Sequence, residues 1–342
     1  MKKLSIVVPC YNCSQTIERL LNSILHQNLN KTDYEVIICD DKSTDNFLKL
    51  VKPYENQMDI VYTETTRDFH CPGNTRQAAI PFISGEWFTF IDNDDMFEEN
   101  VFQTVLNEIN SLQVKYVLCT NFRSYNVEQN KYIQDFTGEN TDTWLHGKFF
   151  NKQRVIDELQ CHFKENEFSH EDLYFNAYLL AKLVNLNEDY IYSSIFTYKW
   201  VANPQSLSRS YFNEKHYYIE TYLEDYLISG SEAFFELYKQ NKNNFDKSNF
   251  ALNQIIMTLL HGYFYYQASL WRLGPNEVLP NNYNALKTLK QKLWSELKVS
   301  DETIIQYVYQ NPLRYHSIKE KCFNGSGFFV EVQSFRDFIL NL

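Results

Sequence analysis

Apolar residues in the first 210 positions fall alternately into short continuous runs and into stretches of helical spacing. Leu4 to Val8 is a run closed by Pro9, which predicts a buried strand. Ile17, Leu20, Leu21, Ile24 and Leu25 share one helical face, with Ser14 placed to cap that helix. Glu35 to Cys39 reads as a second strand stopped by Asp40-Asp41, and Asp59 to Tyr62 as a third. A helix is expected over 74–83, then a strand from Trp87 to Ile91 that runs into Asp92-Asn93-Asp94-Asp95. A helix over 98–112, a strand from Tyr116 to Cys119, a helix from Glu171 to Leu183 and a strand from Tyr190 to Trp200 complete the series. Residues 123–170 are less regular. Alternation of this kind predicts an α/β fold with a mainly parallel sheet and helices on both faces. Ligands of such sheets gather beyond the carboxyl ends of the strands. Here those ends carry Pro9 to Asn12, Asp40-Asp41 and Asp92 to Asp95.

After Tyr211 helical periodicity takes over, with candidates at 213–241, 247–272, 284–298 and 301–310. The division expected is an α/β domain over 1–212 and a helical domain over 213–342. Aromatic residues are denser in the second part. They would serve an acceptor platform, a homo-oligomer interface, where such residues are enriched, or a plain helical core.

The net charge of −11 sits almost wholly in the first 210 residues, which hold 29 acidic against 19 basic side chains. Proteins that grip nucleic acid through its phosphates usually carry a basic surface. A nucleic-acid partner is therefore disfavoured, and a site for a divalent cation fits better. Seven cysteines without a repeating framework suit a reducing compartment. Met1 to Pro9 is too short an apolar stretch for a signal peptide, and no segment reads as a membrane span. The expectation is a cytoplasmic protein, with peripheral attachment to a membrane left open.

Four clusters carry chemistry. In Phe90-Ile91-Asp92-Asn93-Asp94-Asp95 a strand delivers three carboxylates into one turn, whose repulsion a cation would relieve. Hard ions such as Mg²⁺ and Mn²⁺ prefer such oxygens; the competing reading is an acidic cap on the following helix. Asp40 to Asp45 offers a carboxylate to a base N–H or a ribose hydroxyl, or else forms an Asx turn. Gly73-Asn74-Thr75-Arg76 sets a guanidinium in the first turns of a helix, where it needs an anion or a salt-bridge partner. His170-Glu171-Asp172-Leu173 opens a helix with two acids, as a general base and its neighbour or as a simple helix start. Cys10-Tyr11-Asn12-Cys13 has the spacing of a redox pair but stands alone.

Taken in order, Ser5 to Asn12, Glu35 to Asp45, Gly73 to Ala78 and Phe90 to Asp95 resemble the motifs of family 2 glycosyltransferases. The resemblance covers about residues 1–210 and implies a GT-A fold and a nucleotide-sugar donor, most often a UDP-sugar, across the strand ends. It implies that Pro9, Tyr11 and Asp41 meet the base and that Arg76 lies near base and diphosphate. Asp92 and Asn93 would lie on ribose and sugar. Asp92 and Asp94 form an Asp-any-Asp motif holding Mn²⁺ or Mg²⁺, Asp94 being the nearer to the diphosphate. Asp172, assisted by Glu171, matches the family's general base in an inverting single displacement onto an acceptor hydroxyl of a glycan or polyol. Trp144 and His146 fall where the family builds its acceptor site. Lys199, Ser208 and Arg209 resemble a loop that folds over the donor. Gln77 departs from the family's usual Asn. Three other readings compete. A nucleotidyltransferase would carry its glycine-arginine loop after the first strand, where this chain has Pro9 to Asn12. A non-catalytic sugar-nucleotide-binding protein would need no base. Glycosylation of a modified base in DNA is opposed by the acidic balance.

Overall fold

The computed structural model describes residues 2–67, 71–165, 170–202, 223–273, 280–311 and 332–342. The chain divides into two compact units, Met1–Ser206 and Leu207–Leu342. The boundary expected at 212/213 lies outside the described residues.

The first unit runs β1 (Leu4–Cys10), α1 (Ile17–Leu25), β2 (Tyr34–Asp40), α2 (Phe47–Val51), β3 (Ile60–Glu64), α3 (Pro72–Ala79) and β4 (Trp87–Phe90). It continues with β5 (Met96–Phe97), α4 (Phe102–Ser111), β6 (Val117–Asn126), β7 (Lys131–Phe136), β8 (Lys148–Asn151), α5 (Glu171–Leu186) and β9 (Ile191–Val201). Among the described residues the strands form one sheet in the order β3-β2-β1-β4-β8-β6-β9-β5, with β7 paired to β6. By paired residues it is mostly parallel: β1 to β4 run one way, and β6 and β9 run parallel to each other. β8 enters antiparallel between β4 and β6, and β5 lies antiparallel on β9.

β1 is buried along its whole length because both faces of the sheet are covered. Ile6 and Val8 pack with α1, α2 and α4, while Val7 packs on the other side with Phe88, Phe90 and residues of α3 and α5. Each such side chain contributes about 1.5–3 kcal/mol when fully buried, and alternation along the strand serves two cores at once.

Three local expectations are corrected. The helix expected over 98–112 begins at Phe102. Met96 and Phe97 are pulled into the sheet against Lys199 and Tyr198, and the Gln27 side chain caps Val101 and Phe102. Ser14 does not cap α1; Thr16 stands at the N-cap position without a side-chain cap bond, and Ser14 gives its N–H to Asp45. The stretch 123–170 holds the β6–β7 hairpin, β8 and a π-helical turn over Gln153–Glu158.

The second unit contains α6 (Leu223–Gln240), α7 (Phe245–Leu273), α8 (Pro280–Leu297), α9 (Asp301–Gln310) and α10 (Val332–Asn341). Gly230 lets α6 approach α7 closely, since a Cβ there would stand 2.8 Å from the Thr258 side chain. Much of the unit's aromatic content goes into its own core: Tyr263 is buried against Phe335 and Phe338, with ring centroids 5.1 and 4.7 Å apart. No helix among the described residues is long and apolar enough to cross a membrane.

Candidate active site

The turns after β1, β2 and β4 meet at one edge of the sheet and are laced together by side chains. Asn12 adopts φ +50°, a left-handed conformation that Asn tolerates better than most residues. Its Oδ1 accepts from the N–H groups of Thr44 and Asp45 at 2.8 and 3.2 Å, joining the first turn to the second. Asn93 joins the third to the first: its amide donates to the Pro9 carbonyl at 2.9 Å and accepts from Thr16 at 3.2 Å. Both amide ends of Asn93 are thus engaged by the scaffold. Asp41 is 2% exposed, gives its N–H to Cys10 and accepts from the Thr65 hydroxyl at 2.8 Å. Tyr11, which follows Cys10 on the turn after β1, is 40% exposed. Tyr11 and Asp41, expected from the sequence to meet the base, thus lie on turns that share this sheet edge.

The other half is organised by Arg76, whose buried guanidinium joins two motifs that lie far apart in the chain. Nη2 donates to Asp92 Oδ1 at 2.5 Å and Nη1 to Glu171 Oε1 at 2.7 Å. Its Nε–H is buried without a hydrogen-bond partner among the described residues. α3 comes this close to α5 because Gly73 has no side chain; a Cβ there would stand 2.8 Å from Glu171 Cβ. Burial alone would raise the Asp92 pKa, but the Arg76 charge, with help from His146, holds its carboxyl well below the usual range. The same two carboxylates outweigh desolvation of Arg76 and raise its pKa.

Asp95 is buried and serves the end of β9: its carboxylate accepts from the Tyr198 hydroxyl at 2.5 Å and from the Val201 N–H at 2.7 Å. Burial, then the charges of Asp94 and Asp92, push its pKa well above the ordinary value. His146 Nε2 stands 3.8 Å from Asp92 Oδ2 and 3.7 Å from Asp95 Oδ2. One ligand atom each from Asp92, Asp95 and His146 falls within 4.8 Å of the others. Two carboxylates and an imidazole fit a Mn²⁺- or Mg²⁺-type cation, the imidazole favouring the transition metal. Asp94, expected as a ligand, lies outside this group of three; its carbonyl accepts from Arg19 at 2.5 Å, which fixes the turn from the α1 side.

Asp172 sits in the first turn of α5, beside Glu171, and its carboxylate accepts the Leu173 N–H at 2.7 Å. Removal from water, then the neighbouring Glu171 charge, raise its pKa to about 7. A carboxyl that changes protonation near neutral pH is suited to taking a proton.

Trp144 and His146 arrive on the loop that enters β8. Trp144 packs 5.2 Å from the Trp200 ring and 5.3 Å from His146, with Phe122 behind them. Trp200 and Tyr198 had no individual role from the sequence, and His146, expected as an acceptor contact, stands beside the acidic turn. Lys199 is not with them. Successive residues of a strand face opposite ways, so Lys199 turns from Tyr198 and Trp200 to pair with Glu98 at 3.1 Å, over the Tyr125 ring. The sequence expectation had it over the donor; here it stands on the face of β9 opposite to Tyr198 and Trp200. Ser208 and Arg209 lie outside the described residues.

Residues 5–165 match the model of Glycosyl transferase family 2. The chain is 31% identical over 205 residues to a poly(ribitol-phosphate) beta-glucosyltransferase of Bacillus spizizenii, covering 56% of this chain and 32% of that protein. It is 38% identical over 95 residues to the poly(ribitol-phosphate) beta-N-acetylglucosaminyltransferase TarS of Staphylococcus aureus, covering 28% of this chain and 17% of that protein. The chain thus spans about a third or less of the length of these curated relatives. The crystal structure of S. aureus TarS 1-349 in complex with UDP-GlcNAc superposes with a TM-score of 0.68 at 20% identity, over 96% of this chain and 93% of that one. That likeness extends the fold match through the helices after the sheet. Strand order, acidic turn and family match agree: residues 5–165 form a glycosyl transferase family 2 domain, and the fold is that of GT-A.

Proposed function

We propose that this chain transfers a sugar from a nucleotide diphosphate, a UDP-sugar first among them, to an acceptor hydroxyl with inversion. The observation that carries the reading is the Arg76 bridge, which couples Asp92 to the Glu171–Asp172 pair. A protein that only bound a sugar nucleotide would have no use for a carboxyl tuned to about pH 7 in that position. Tyr11, Pro9 and Asp41 hold the base; Asp41, already fixed by Thr65, offers a carboxylate to a base N–H. Asp92 faces the ribose and sugar. A divalent cation held by Asp92, with Asp95 and His146 beside it and Asp94 on the same turn toward the diphosphate, would supply charge stabilisation to the leaving group. Asp172 takes the proton of the acceptor hydroxyl as it attacks, and Glu171, clamped by Arg76, keeps that base oriented. The two curated relatives make a polyol-phosphate polymer the first acceptor to try. Glycan or polyol hydroxyls are preferred to DNA because the first 210 residues are acidic.

Thermal denaturation with a panel of nucleotide sugars and Mn²⁺ tests the donor reading. A donor at a hundred times its Kd stabilises the folded state by about 2.7 kcal/mol, and the expected result is such a shift with a UDP-sugar. No shift with any nucleotide sugar overturns the reading. Asp94→Ala is expected to keep the fold and to lose most transfer, and excess EDTA to do the same to the unaltered protein. Full transfer in EDTA would remove the metal from the mechanism.

A further inference from the structure

We propose that Lys148 is a positioning residue of the transfer site, using a buried positive charge to fix the loop that sets Trp144 and His146 beside Asp92. The inference rests on the function proposed above, and it concerns a residue to which that function gives no role.

Lys148 opens β8 and is fully buried. Its ammonium has three donors, and three backbone carbonyls of one loop accept them: Thr141 at 2.8 Å, Asp142 at 3.0 Å and Trp144 at 2.5 Å. The Tyr190 ring stands 5.5 Å from Nζ, a favourable face for a cation. Taking an ammonium out of water costs several kcal/mol, so a lysine here needs a return that an apolar residue would not give. The return is conformational. Residues 142–147 belong to no helix or strand, and buried carbonyls without a ladder must find other donors. One cation satisfies three of them together and so specifies the path of the loop.

The loop is also closed at its far end. Gly147 adopts φ +69°, and its carbonyl accepts from the Thr120 N–H and hydroxyl at 2.8 and 2.6 Å. Between these two anchors lie Trp144 and His146. Trp144 meets Trp200, and His146 reaches the oxygens of Asp92 and Asp95. Lys148 touches neither carboxylate; it acts through the loop. Displacement of a contact by about 1 Å costs on the order of 10²-fold in rate, so loosening this loop should be felt in turnover.

The test uses the full chain with Lys148→Met, which keeps the length of the side chain and removes the charge. The expected result is a fall of about 10- to 100-fold in kcat/KM for transfer. UDP affinity by calorimetry should stay within about two-fold, since the base side rests on Tyr11 and Asp41. Acrylamide quenching of tryptophan emission should rise as Trp144 loses its fixed place. The Lys148→Met/Trp144→Ala double variant should be no slower than Trp144→Ala alone, the non-additivity expected of residues acting through one contact. A purely structural lysine would instead lower UDP binding and turnover together and multiply with Trp144→Ala. Unchanged kcat/KM or unchanged quenching in Lys148→Met, or a multiplicative double variant, overturns the proposal. Should Lys148→Met fail to fold, Trp144→Ala decides alone: wild-type kcat/KM there removes the platform and the proposal with it. If the unaltered chain bound no UDP, the functional reading would fall, while the quenching experiment would still judge the Lys148 anchor.

Discussion

Asp172→Asn is expected to lower turnover by about 10²–10⁴-fold, the usual worth of a general base, while UDP affinity changes little. Asparagine keeps the size and the bond to the Leu173 N–H but cannot accept a proton near neutral pH. The pH dependence should agree. With its pKa raised to about 7, Asp172 is protonated and idle below that value and ionised above it. The kcat/KM of transfer, which reports the free enzyme, should therefore rise with pH through about 7, and the Asn variant should lose that limb. Asp41→Asn makes the opposite forecast, because its partner is the base: UDP binding weakens first. Calorimetry for UDP and a transfer assay on both variants form a crossed test. An Asp172→Asn protein that lost UDP binding and kept its turnover at saturating donor would reduce Glu171-Asp172 to a helix start.

The second large effect is on stability. Arg76→Met removes the one cation between Asp92 and Glu171, leaving a buried Glu171 and a partly buried Asp92 facing each other. Breaking a buried ion pair from one side typically costs about 3–5 kcal/mol, because the abandoned charge stays desolvated. Urea unfolding followed by tryptophan emission should show the loss. Arg76→Lys should recover only part of it, since one ammonium cannot reproduce two parallel N–H donations from a planar fork. A wild-type midpoint for Arg76→Met would mean that the carboxylates relax apart and that the bridge organises nothing.

The parallel half of the sheet was legible because strands buried on both faces leave uninterrupted apolar runs, as in β1 and β2. The polar turns at their ends carried the base-side residues and the acidic motif with them. Two things were hidden. β8 has four residues and runs antiparallel, so the segment entering it, and not the one leaving it, reaches the site edge. That reversal is why Lys148 gave so little sign and why His146 was expected only at the acceptor, not beside the acidic turn. The Arg76–Glu171 bond spans 95 positions and has no local signature. The side taken by Lys199, in contrast, was available: in Tyr198-Lys199-Trp200 alternation alone sends the lysine away from its neighbours.

On the function proposed above, Arg76 would also impose an order on the two substrates. While Asp92 is negative, it shares the guanidinium with Glu171 and adds its own repulsion to Asp172. A cation bound on Asp92 would offset its charge, weaken that repulsion and leave the guanidinium to the Glu171 side. Both changes lower the pKa of Asp172. On the function proposed above, Asp172 would be half protonated at neutral pH before the donor arrives and ionised once it is in place. An acceptor that enters first meets a protonated carboxyl; one that enters second meets a working base. Compulsory donor-first kinetics would then reflect a single arginine held between two acids, with no lid required to enforce the sequence.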